Sequence, residues 1–344
     1  MSEAEVMVKN ETKVSAQRRG IQIFVAAIVT ALFLFLAFRN VNFNVLFLHL
    51  KRVDLRALGL FTMLFFGQAL LRTERWAVQV KGVKGVRPAF FDALSINAVS
   101  FVAIFYIPFR LGEFVRPYLC ERRNIMSAAA ALSNSVLERV IDGLVTCGFF
   151  GAVLVLAPKD VLPKETIYGG AVALAIFGGA SIVLALAFFF QTASVRFWSR
   201  LLTPLSKTLS QKLLHLLDQF LDGLGCFKNP LIFGRYLLTT VAYWLLNGYA
   251  MWILMRGLNI DVPLLVSYFT VCFLVIGVMI PAGPGAVGTF HYAASFALVL
   301  FGVSEDSAAA FAILIHAVQC VLLIVWAGLF LLFGGVRLKE LKRA

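Results

Sequence analysis

The sequence contains little charge for its length and none of the motifs on which most soluble enzymes depend. Of its 344 residues 14% are charged and 60% are hydrophobic, and the apolar residues stand in blocks instead of alternating with polar ones. There is no Ser/His/Asp order, no HExxH pair and no glycine-rich phosphate loop. We therefore predict that the chain is not an enzyme, has no catalytic residues and needs no cofactor.

Cysteine is also scarce, and its spacing excludes two further classes of site. None of the five cysteines has a partner at the spacing of a redox pair or a zinc site; they stand at positions 120, 147, 226, 272 and 320. We expect them to serve as small apolar residues in a packed interior. The sequence thus predicts no metal site.

The long apolar blocks predict a membrane protein made of helices. Blocks of about 20 residues match the thickness of a bilayer at the rise of an α-helix, and in lipid the backbone must satisfy its own hydrogen bonds. The alternating ten-residue segments of a β-barrel are absent. The first block is not followed by a small-residue cleavage site, so we do not interpret it as a signal peptide. We predict full spans near 21–38, 57–71, 133–157, 168–190, 231–255 and 308–333.

The distribution of Lys and Arg predicts the orientation of the chain. One set of connecting segments holds twenty-two of these residues and the other set holds seven. By the positive-inside rule the first set is cytoplasmic; it comprises 1–20, 72–88, 108–123, 191–230 and 334–344. Segment 39–56 fits this scheme poorly, because it belongs to the second set and yet contains four cations. Both termini are then cytoplasmic, and the formal charge of +13 indicates anionic lipid surfaces as partner and not nucleic acid.

Two apolar stretches, 89–107 and 263–302, are each interrupted by a proline-glycine element. Because 72–88 and 108–123 both fall on the cytoplasmic side, the stretch between them has to enter the membrane and turn back. The alternative is that both elements are kinks at the ends of ordinary spans. The charge pattern therefore favours re-entrant hairpins, while full crossings at 89–127 and 263–302 stay open.

A short motif recurs in these two stretches and indicates an inverted repeat. Residues 107–112 read IPFRLG and residues 280–285 read IPAGPG, with Ile, Pro and Gly in register. In the predicted topology the spans that flank the two motifs run in opposite senses, which is how broken helices from two halves come to share a site at mid-membrane. We expect Pro108 to approach Pro281, and the Cα atoms of Gly112 and Gly285 to lie within about 20 Å, roughly two helix diameters.

The predicted fold is an all-α, polytopic transmembrane bundle with about six full spans and two broken or re-entrant hairpins. We divide it into a cytoplasmic tail (1–20), a membrane domain (21–335) with halves 21–190 and 231–335, and a second tail (336–344). An amphipathic cytoplasmic segment (191–230) joins the halves, and its stripe of leucines within 204–228 predicts a helix on the inner membrane surface.

The charged residues that enter the predicted membrane region are the candidate ligand-binding groups. Charges there are costly and usually face a cavity or a partner, and a guanidinium presents forked donors that match phosphate oxygens. Snorkelling to the interface and purely structural ion pairs are the alternatives for these residues. The first half contributes Arg110, Glu113, Arg116, Glu138, Arg139 and Asp142. Because Pro117 disfavours helix at the residue before it, we expect a turn at Arg116.

The second half contributes glycines and one histidine to the candidate site. Gly283, Gly285 and Gly288 would let backbone amides approach a ligand closely. His291 follows three residues later, although a histidine in an apolar run is more often part of the packed core.

Four motifs in order along the chain resemble the transmembrane, flippase-like domain of lysylphosphatidylglycerol synthases. They are RTERW at 72–76, RLGEFVR at 110–116, ERVID at 138–142 and PAGPGAVG at 281–288. The resemblance implies a stand-alone member of that family, in the bacterial plasma (inner) membrane, that translocates a lipid. It implies no aminoacyl transfer, because that activity belongs to a separate soluble domain and only a short tail follows the last predicted span.

We therefore expect a protein that binds, and moves between leaflets, an anionic or phosphate-bearing lipid. The partner is a membrane phospholipid or a polyprenyl-phosphate lipid, with a homo-oligomer or a partner synthase as further candidates. One alternative is a scaffold for a lipid-modifying synthase, which predicts a bundle without a cavity. The other is an intramembrane lipid-phosphate enzyme, which predicts His291 or Asp142 within about 4 Å of Arg110 and Arg116, close enough for proton transfer.

Overall fold

A computed structural model describes residues 24–156, 163–202, 207–280, 282–333 and 336 of the chain. Of residues 108–109, 201–202 and 207–209 it describes the backbone only. Within these ranges the chain is helical and contains no strand. The predicted all-α architecture is confirmed.

Thirteen α-helices and three short 3₁₀ turns lie within the described ranges. The helices of the first half are α1 (Phe24–Phe38), α2 (Phe43–Lys51), α3 (Leu55–Lys84), α4 (Phe90–Tyr106), α5 (Val115–Arg122), α6 (Ala128–Leu156) and α7 (Lys164–Phe189). The linking helices are α8 (Gln191–Leu202) and α9 (Lys207–Gly223), and the second half contains α10 (Pro230–Gly257), α11 (Leu264–Met279), α12 (Thr289–Val299) and α13 (Glu305–Leu332). The 3₁₀ turns are Pro108–Phe114, Gly225–Lys228 and Pro284–Ala286.

Five helices are long and apolar enough to cross a membrane, namely α3, α6, α7, α10 and α13, and a sixth span is obtained if α1 and α2 are counted as one bent pair. These correspond to the six predicted spans. The chain bends by 83° between α1 and α2. Segment 39–56, predicted to be a connection, thus contains a helix.

The predicted end of the second span near residue 71 is wrong, because α3 continues to Lys84. Arg72 and Arg75 were assigned to a cytoplasmic connection, but they lie within this helix. Arg75 is 1% exposed and forms an ion pair with Asp142 of α6. A paired arginine does not have to reach the membrane surface, and so a charge at this position does not end the span.

The first broken element is a hairpin of α4, the turn Pro108–Phe114 and α5, which we call the first hairpin. An ion pair of 2.7 Å between Arg123 and Asp92 holds its two ends together. A Cβ atom at Gly112 would lie 2.1 Å from the backbone of Ala103, so the turn packs directly on the end of α4. The chain therefore returns toward the end of the bundle from which it entered.

The second broken element, the second hairpin, consists of α11, the turn Pro284–Ala286 and α12. The rings of Phe269 and Phe301 lie 5.1 Å apart near its open end. A Cβ atom at Gly277 would lie 2.7 Å from that of Ala293, which shows how closely the two helices approach near the tip. Both elements are thus hairpins with a 3₁₀ turn at the tip.

The two hairpins insert from opposite ends of the bundle. Helices α3 and α10 are antiparallel neighbours, because the Asp54 N–H donates to the Gly257 carbonyl at one end (2.8 Å) and Arg235 pairs with Glu74 toward the other (2.7 Å). Each hairpin begins shortly after one of these helices ends. Helix α4 packs on α13, and α11 packs on α6. This reciprocal packing is the arrangement that the predicted inverted repeat requires.

The linking segment forms two helices, whereas the sequence predicted one long amphipathic segment at the membrane surface. Helix α9 packs on α6, where a Cβ atom at Gly223 would lie 2.4 Å from the Ala130 carbonyl. Leu217, Phe220 and Leu224 of its apolar stripe join a core cluster of the bundle. The side chains of the stripe before residue 210, and both predicted tails apart from Val336, lie outside the described residues.

Candidate functional site

A cavity of about 440 Å³ lies where the two halves of the bundle meet. Its wall includes residues of α3, α4, α6, α10 and α11 together with both hairpin tips. Eight charged side chains line it, and the arginines outnumber the carboxylates by five to three. They are Arg72, Arg75, Arg110, Arg116, Arg139, Glu113, Glu138 and Asp142.

Two of these arginines and two of the carboxylates form a network of buried ion pairs, which we call the buried pair network. Arg116 of α5 donates to both carboxylate oxygens of Glu138, at 3.0 and 2.8 Å, and to Ser135 Oγ at 2.8 Å. Arg75 of α3 donates to Asp142 at 2.5 Å and lies 3.6 Å from Glu138.

The indole of Trp244 completes the buried pair network by donating to Asp142 Oδ1 at 2.8 Å. No side chain of the two ion pairs is more than 7% exposed. Buried charges are stable only when paired and hydrogen-bonded, and here two positive and two negative groups cancel. The network therefore ties α3, α5, α6 and α10 together without leaving a net charge.

The remaining charged residues form a more accessible set, which we call the open group. Glu113 Oε1 accepts from Arg110 Nε and Nη2 at 3.0 and 2.7 Å, and Arg139 Nε lies 3.5 Å from the same oxygen. The side chains of Arg110, Glu113 and Arg139 are 30, 20 and 39% exposed. One carboxylate is therefore shared by two arginines that reach into the cavity.

Arg72 is the fifth arginine and the fourth member of the open group. Its guanidinium carbon lies 3.1 Å from the centre of the Phe101 ring, a cation–π contact between α3 and α4. Among the described residues no carboxylate lies within ion-pair distance of it. The open group thus has three arginines and one carboxylate, and a formal charge of +2.

The tips of the two hairpins meet at this cavity. Arg110 Nη1 of the first tip donates to the Val278 carbonyl of the second hairpin at 3.5 Å. Gly285 lies beside Phe105, at the end of α4 on which the first tip packs. The two tips thus approach each other. Pro281 lies outside the described residues, so its approach to Pro108 and the distance between the Cα atoms of Gly112 and Gly285 stay predictions.

The second tip contributes backbone and small side chains to the cavity instead of charge. Ala282, Gly283 and Ala286 line the wall, whereas the predicted site residues Gly285 and Gly288 stand behind it. The φ angles of these two glycines are 72° and 91°, a left-handed conformation that favours glycine. They shape the turn and do not line the cavity.

His291 lies outside the cavity wall, in an aromatic cluster behind the second tip. Its ring is 4.6 Å from that of His316 and 5.8 Å from that of Phe38, and its Nδ1 accepts from the Gly288 N–H at 3.4 Å. The His316 ring nitrogen Nε2 lies 2.8 Å from the Gly285 carbonyl. His291 is therefore part of the packed core, and its hydrogen bond with Gly288 supports the turn.

The sequence-based prediction of the site omitted Arg72 and Arg75, although both line the cavity. They were placed outside the membrane, yet the RTERW motif at 72–76 already contained them. Their spacing of three puts both on one side of a helix, and that was the available signal. Other polar residues of the wall had no signal in the sequence; they include Asn97, Ser100, Tyr243, Asn247 and Gln319.

The expected turn at Arg116 is wrong, because α5 begins at Val115 and contains both Arg116 and Pro117. Proline is tolerated in the first turn of a helix, where its missing N–H would have had no helical partner. The helix fixes Arg116 where it faces Glu138, and this arginine is 5% exposed. Its contribution is therefore to packing of the hairpin as well as to the charge of the cavity.

The sequence of residues 23–327 matches the family model described as the lysylphosphatidylglycerol synthase TM region. Glycosyltransferase AglD of Haloferax volcanii is 27% identical over 245 residues, which cover 63% of this chain and 39% of AglD. A UPF0104 membrane protein of Methanocaldococcus jannaschii is 26% identical over 212 residues, or 61% of this chain and 83% of that protein. The chain thus spans well under half of the length of AglD. No solved structure matches.

Proposed function

Because the chain belongs to the lysylphosphatidylglycerol synthase TM-region family, we propose that it is a membrane protein that binds the phosphate of an anionic lipid in the central cavity and carries it between leaflets. The observation that supports this most directly is the open group, with its formal charge of +2. Uncompensated charge within a membrane is costly. An anionic head group would supply the compensation.

The size and position of the cavity suit a lipid head group. Ligand cavities usually measure about 300 to 1,000 Å³, and this one measures about 440 Å³. It lies between two oppositely inserted hairpins, which is where transporters built from inverted repeats bind their substrates. In our proposal the head group enters this cavity while its hydrocarbon chains stay in the surrounding lipid.

The two alternative functions receive less support. A scaffold role predicted a bundle without a cavity, and a cavity is present. An intramembrane enzyme needs an acid or base that is available to a substrate, but Asp142 is engaged by Arg75 and Trp244, and His291 does not line the cavity. We therefore propose that the chain acts without catalysis. The name of AglD describes that longer protein.

The plasma-membrane location and the cytoplasmic position of both termini stay part of this proposal. The basic segments around Arg18 and Arg337 that indicate this orientation lie outside the described residues. Reporter fusions at each end test the orientation, and a reporter active on the outer side at either end would overturn the predicted topology and, with it, the inverted repeat.

Translocation is tested with purified protein in liposomes that contain fluorescent phosphatidic acid, an anionic phospholipid. A membrane-impermeant quencher reports the exchange of labelled lipid between leaflets. We expect the wild-type protein to accelerate exchange, and R72Q and R110Q to slow it by about tenfold each, the effect of one charge-assisted hydrogen bond.

The matched control for this experiment is R256Q. Arg256 pairs with Asp261 at one end of the bundle and is 49% exposed, so its loss removes an arginine without touching the cavity. Exchange by R256Q should equal that by the wild type. Exchange in wild-type liposomes no faster than in protein-free liposomes would contradict the proposed function.

A further inference from the structure

The five arginines of the cavity differ in whether their charge is already compensated. In the buried pair network two arginines face two carboxylates, and Ser135 and Trp244 each add a hydrogen bond. In the open group three arginines share Glu113, and one of them, Arg139, also lies 4.0 Å from Asp142 Oδ2 of the buried pair network. All of the surplus positive charge therefore belongs to the accessible part of the wall.

From this division, and resting on the proposed function, we infer that the site selects lipids whose head group is a phosphomonoester over those with a phosphodiester. A phosphomonoester carries a charge of about −1.5 to −2 at neutral pH and has three unsubstituted oxygens. A phosphodiester carries a single negative charge and has two such oxygens. Only the phosphomonoester balances the +2 of the open group.

The position of the arginines supports the same preference. Arg72 belongs to α3, Arg110 to the first tip and Arg139 to α6, so the surplus charge comes from three separate elements of the wall. A guanidinium donates its N–H groups in a planar fork that suits phosphate oxygens. Three arginines from three directions match a head group with three free oxygens better than one with two.

Glu113 sets the size of the surplus. Its Oε1 holds Arg110 and Arg139 together, and without that charge the open group would carry +3. Arg72 has the opposite effect, since its loss would lower the surplus to +1, the value that a phosphodiester balances. These two positions therefore predict opposite changes in selectivity.

The test is a binding titration with the full chain in nanodiscs, monitored by tryptophan fluorescence. The probes are dioleoyl phosphatidic acid and dioleoyl phosphatidylglycerol, which share their acyl chains and differ in the ester of the phosphate. We expect phosphatidic acid to bind about tenfold more tightly or better, the effect of one further charge-assisted hydrogen bond. Equal affinities would overturn the inference.

Undecaprenyl phosphate, a phosphomonoester on a different hydrocarbon chain, separates the two sources of such a head group. Tight binding of both monoester lipids indicates that the head group alone is recognised. Tight binding of phosphatidic acid alone also supports the inference and shows that the hydrocarbon chain is recognised as well.

Variants separate charge balance from general weakening. R72Q should lose most of its affinity for phosphatidic acid and keep that for phosphatidylglycerol, whereas R72K, which retains the charge, should keep the preference. E113Q should widen the preference for phosphatidic acid over phosphatidylglycerol. The matched control is E74Q, since Glu74 pairs with Arg87 and Arg235 outside the cavity. A uniform loss for both lipids in R72Q would count against the inference.

The outcomes also distinguish this inference from the proposed function. Selective binding without lipid exchange in liposomes would leave the inference standing and remove translocation. Exchange of both lipids at equal rates with equal affinities would leave translocation standing and overturn the inference. Binding of neither lipid would overturn both.

Discussion

The two hairpins have the same construction, but the tip of the first is charged and the tip of the second is not. Each has two helices joined by a 3₁₀ turn, and each brings its tip to the same cavity. The first hairpin delivers Arg110, Glu113 and Arg116, whereas the second delivers no charge, only small residues at its tip and apolar side chains from its two helices. The first is fastened by ion pairs to α6, whereas the second packs on α6 through α11 and is held together internally by close helix packing at Gly277.

This difference teaches that an inverted repeat fixes where two tips meet and leaves their chemistry free to diverge. A charged first tip and a closely packed, uncharged second tip can also occupy the same cavity together. A bulky charged second tip would compete with the first for the same cavity, while a tip of small residues leaves volume for a ligand. The following predictions test this comparison with substitutions whose expected effects become successively smaller.

The largest effect is expected where the first hairpin is fastened. E138Q would leave Arg116 buried and unpaired and would weaken the contact with Arg75. Removal of one partner of a buried ion pair costs about 3 to 5 kcal/mol. Thermal unfolding in detergent, followed by tryptophan fluorescence, should show a large loss of stability.

The control for this experiment is E113Q, which removes a carboxylate from the partly exposed end of the same hairpin. Its cost should stay below about 1 kcal/mol, as for other exposed pairs. Equal losses in the two variants would mean that the buried and the open charges do not differ in the way described.

The next effect concerns the close packing of the segments within each hairpin. G112A places a methyl group 2.1 Å from the backbone of Ala103, and G277A places one 2.7 Å from the Cβ of Ala293. Overpacking costs about 1 to 3 kcal/mol, and the loss should be greater for G112A because backbone yields less than a side chain. G148A, where no atom lies within 4 Å, is the control for both unfolding measurements.

A smaller effect is expected at the second tip, where Gly285 has a φ of 72° and its substitution meets nothing closer than 3.4 Å. G285A should lose about 1 to 2 kcal/mol through backbone strain alone. Gly302, with a φ of 79° and no atom within 4 Å, lies outside the hairpins. G302A should lose the same stability, but only G285A should slow lipid exchange; slowing by both would contradict a role of the tip.

The smallest effect is expected at the ion pairs that lie outside both hairpins. E74Q breaks partly exposed pairs with Arg87 and Arg235, which should cost less than about 1 kcal/mol and leave lipid exchange unchanged. A loss comparable to that of E138Q would show that the surface pairs also fasten the bundle.

Much of the architecture was predictable because a bilayer imposes simple rules on a sequence. Apolar length identified the spans, and the placement of Lys and Arg identified the re-entrant course of the first hairpin. The same rules failed at Arg72 and Arg75, because a hydropathy argument treats an arginine as a surface residue. Only the position of Asp142 on another helix reveals that Arg75 is paired inside the bundle.

The candidate site was predicted in part. Six of the eight charged residues of the cavity wall came with the RLGEFVR and ERVID motifs, since charges that enter an apolar span stand out; they are Arg110, Glu113, Arg116, Glu138, Arg139 and Asp142. The glycines at 285 and 288 and His291 were expected to face a ligand, but the turn directs them behind the wall, and neighbouring residues cannot indicate in which direction a turn faces.

The sequence by itself determined that the chain is a helical membrane protein with two interrupted segments, because hydropathy and proline-glycine breaks are local properties. The tertiary structure alone decided which charges cancel. Arg116 meets Glu138 and Arg75 meets Asp142 between different helices, and Arg72 is left facing an aromatic ring. Compensation of charge depends on distances between elements, and for that reason no inspection of the sequence separates the buried pair network from the open group.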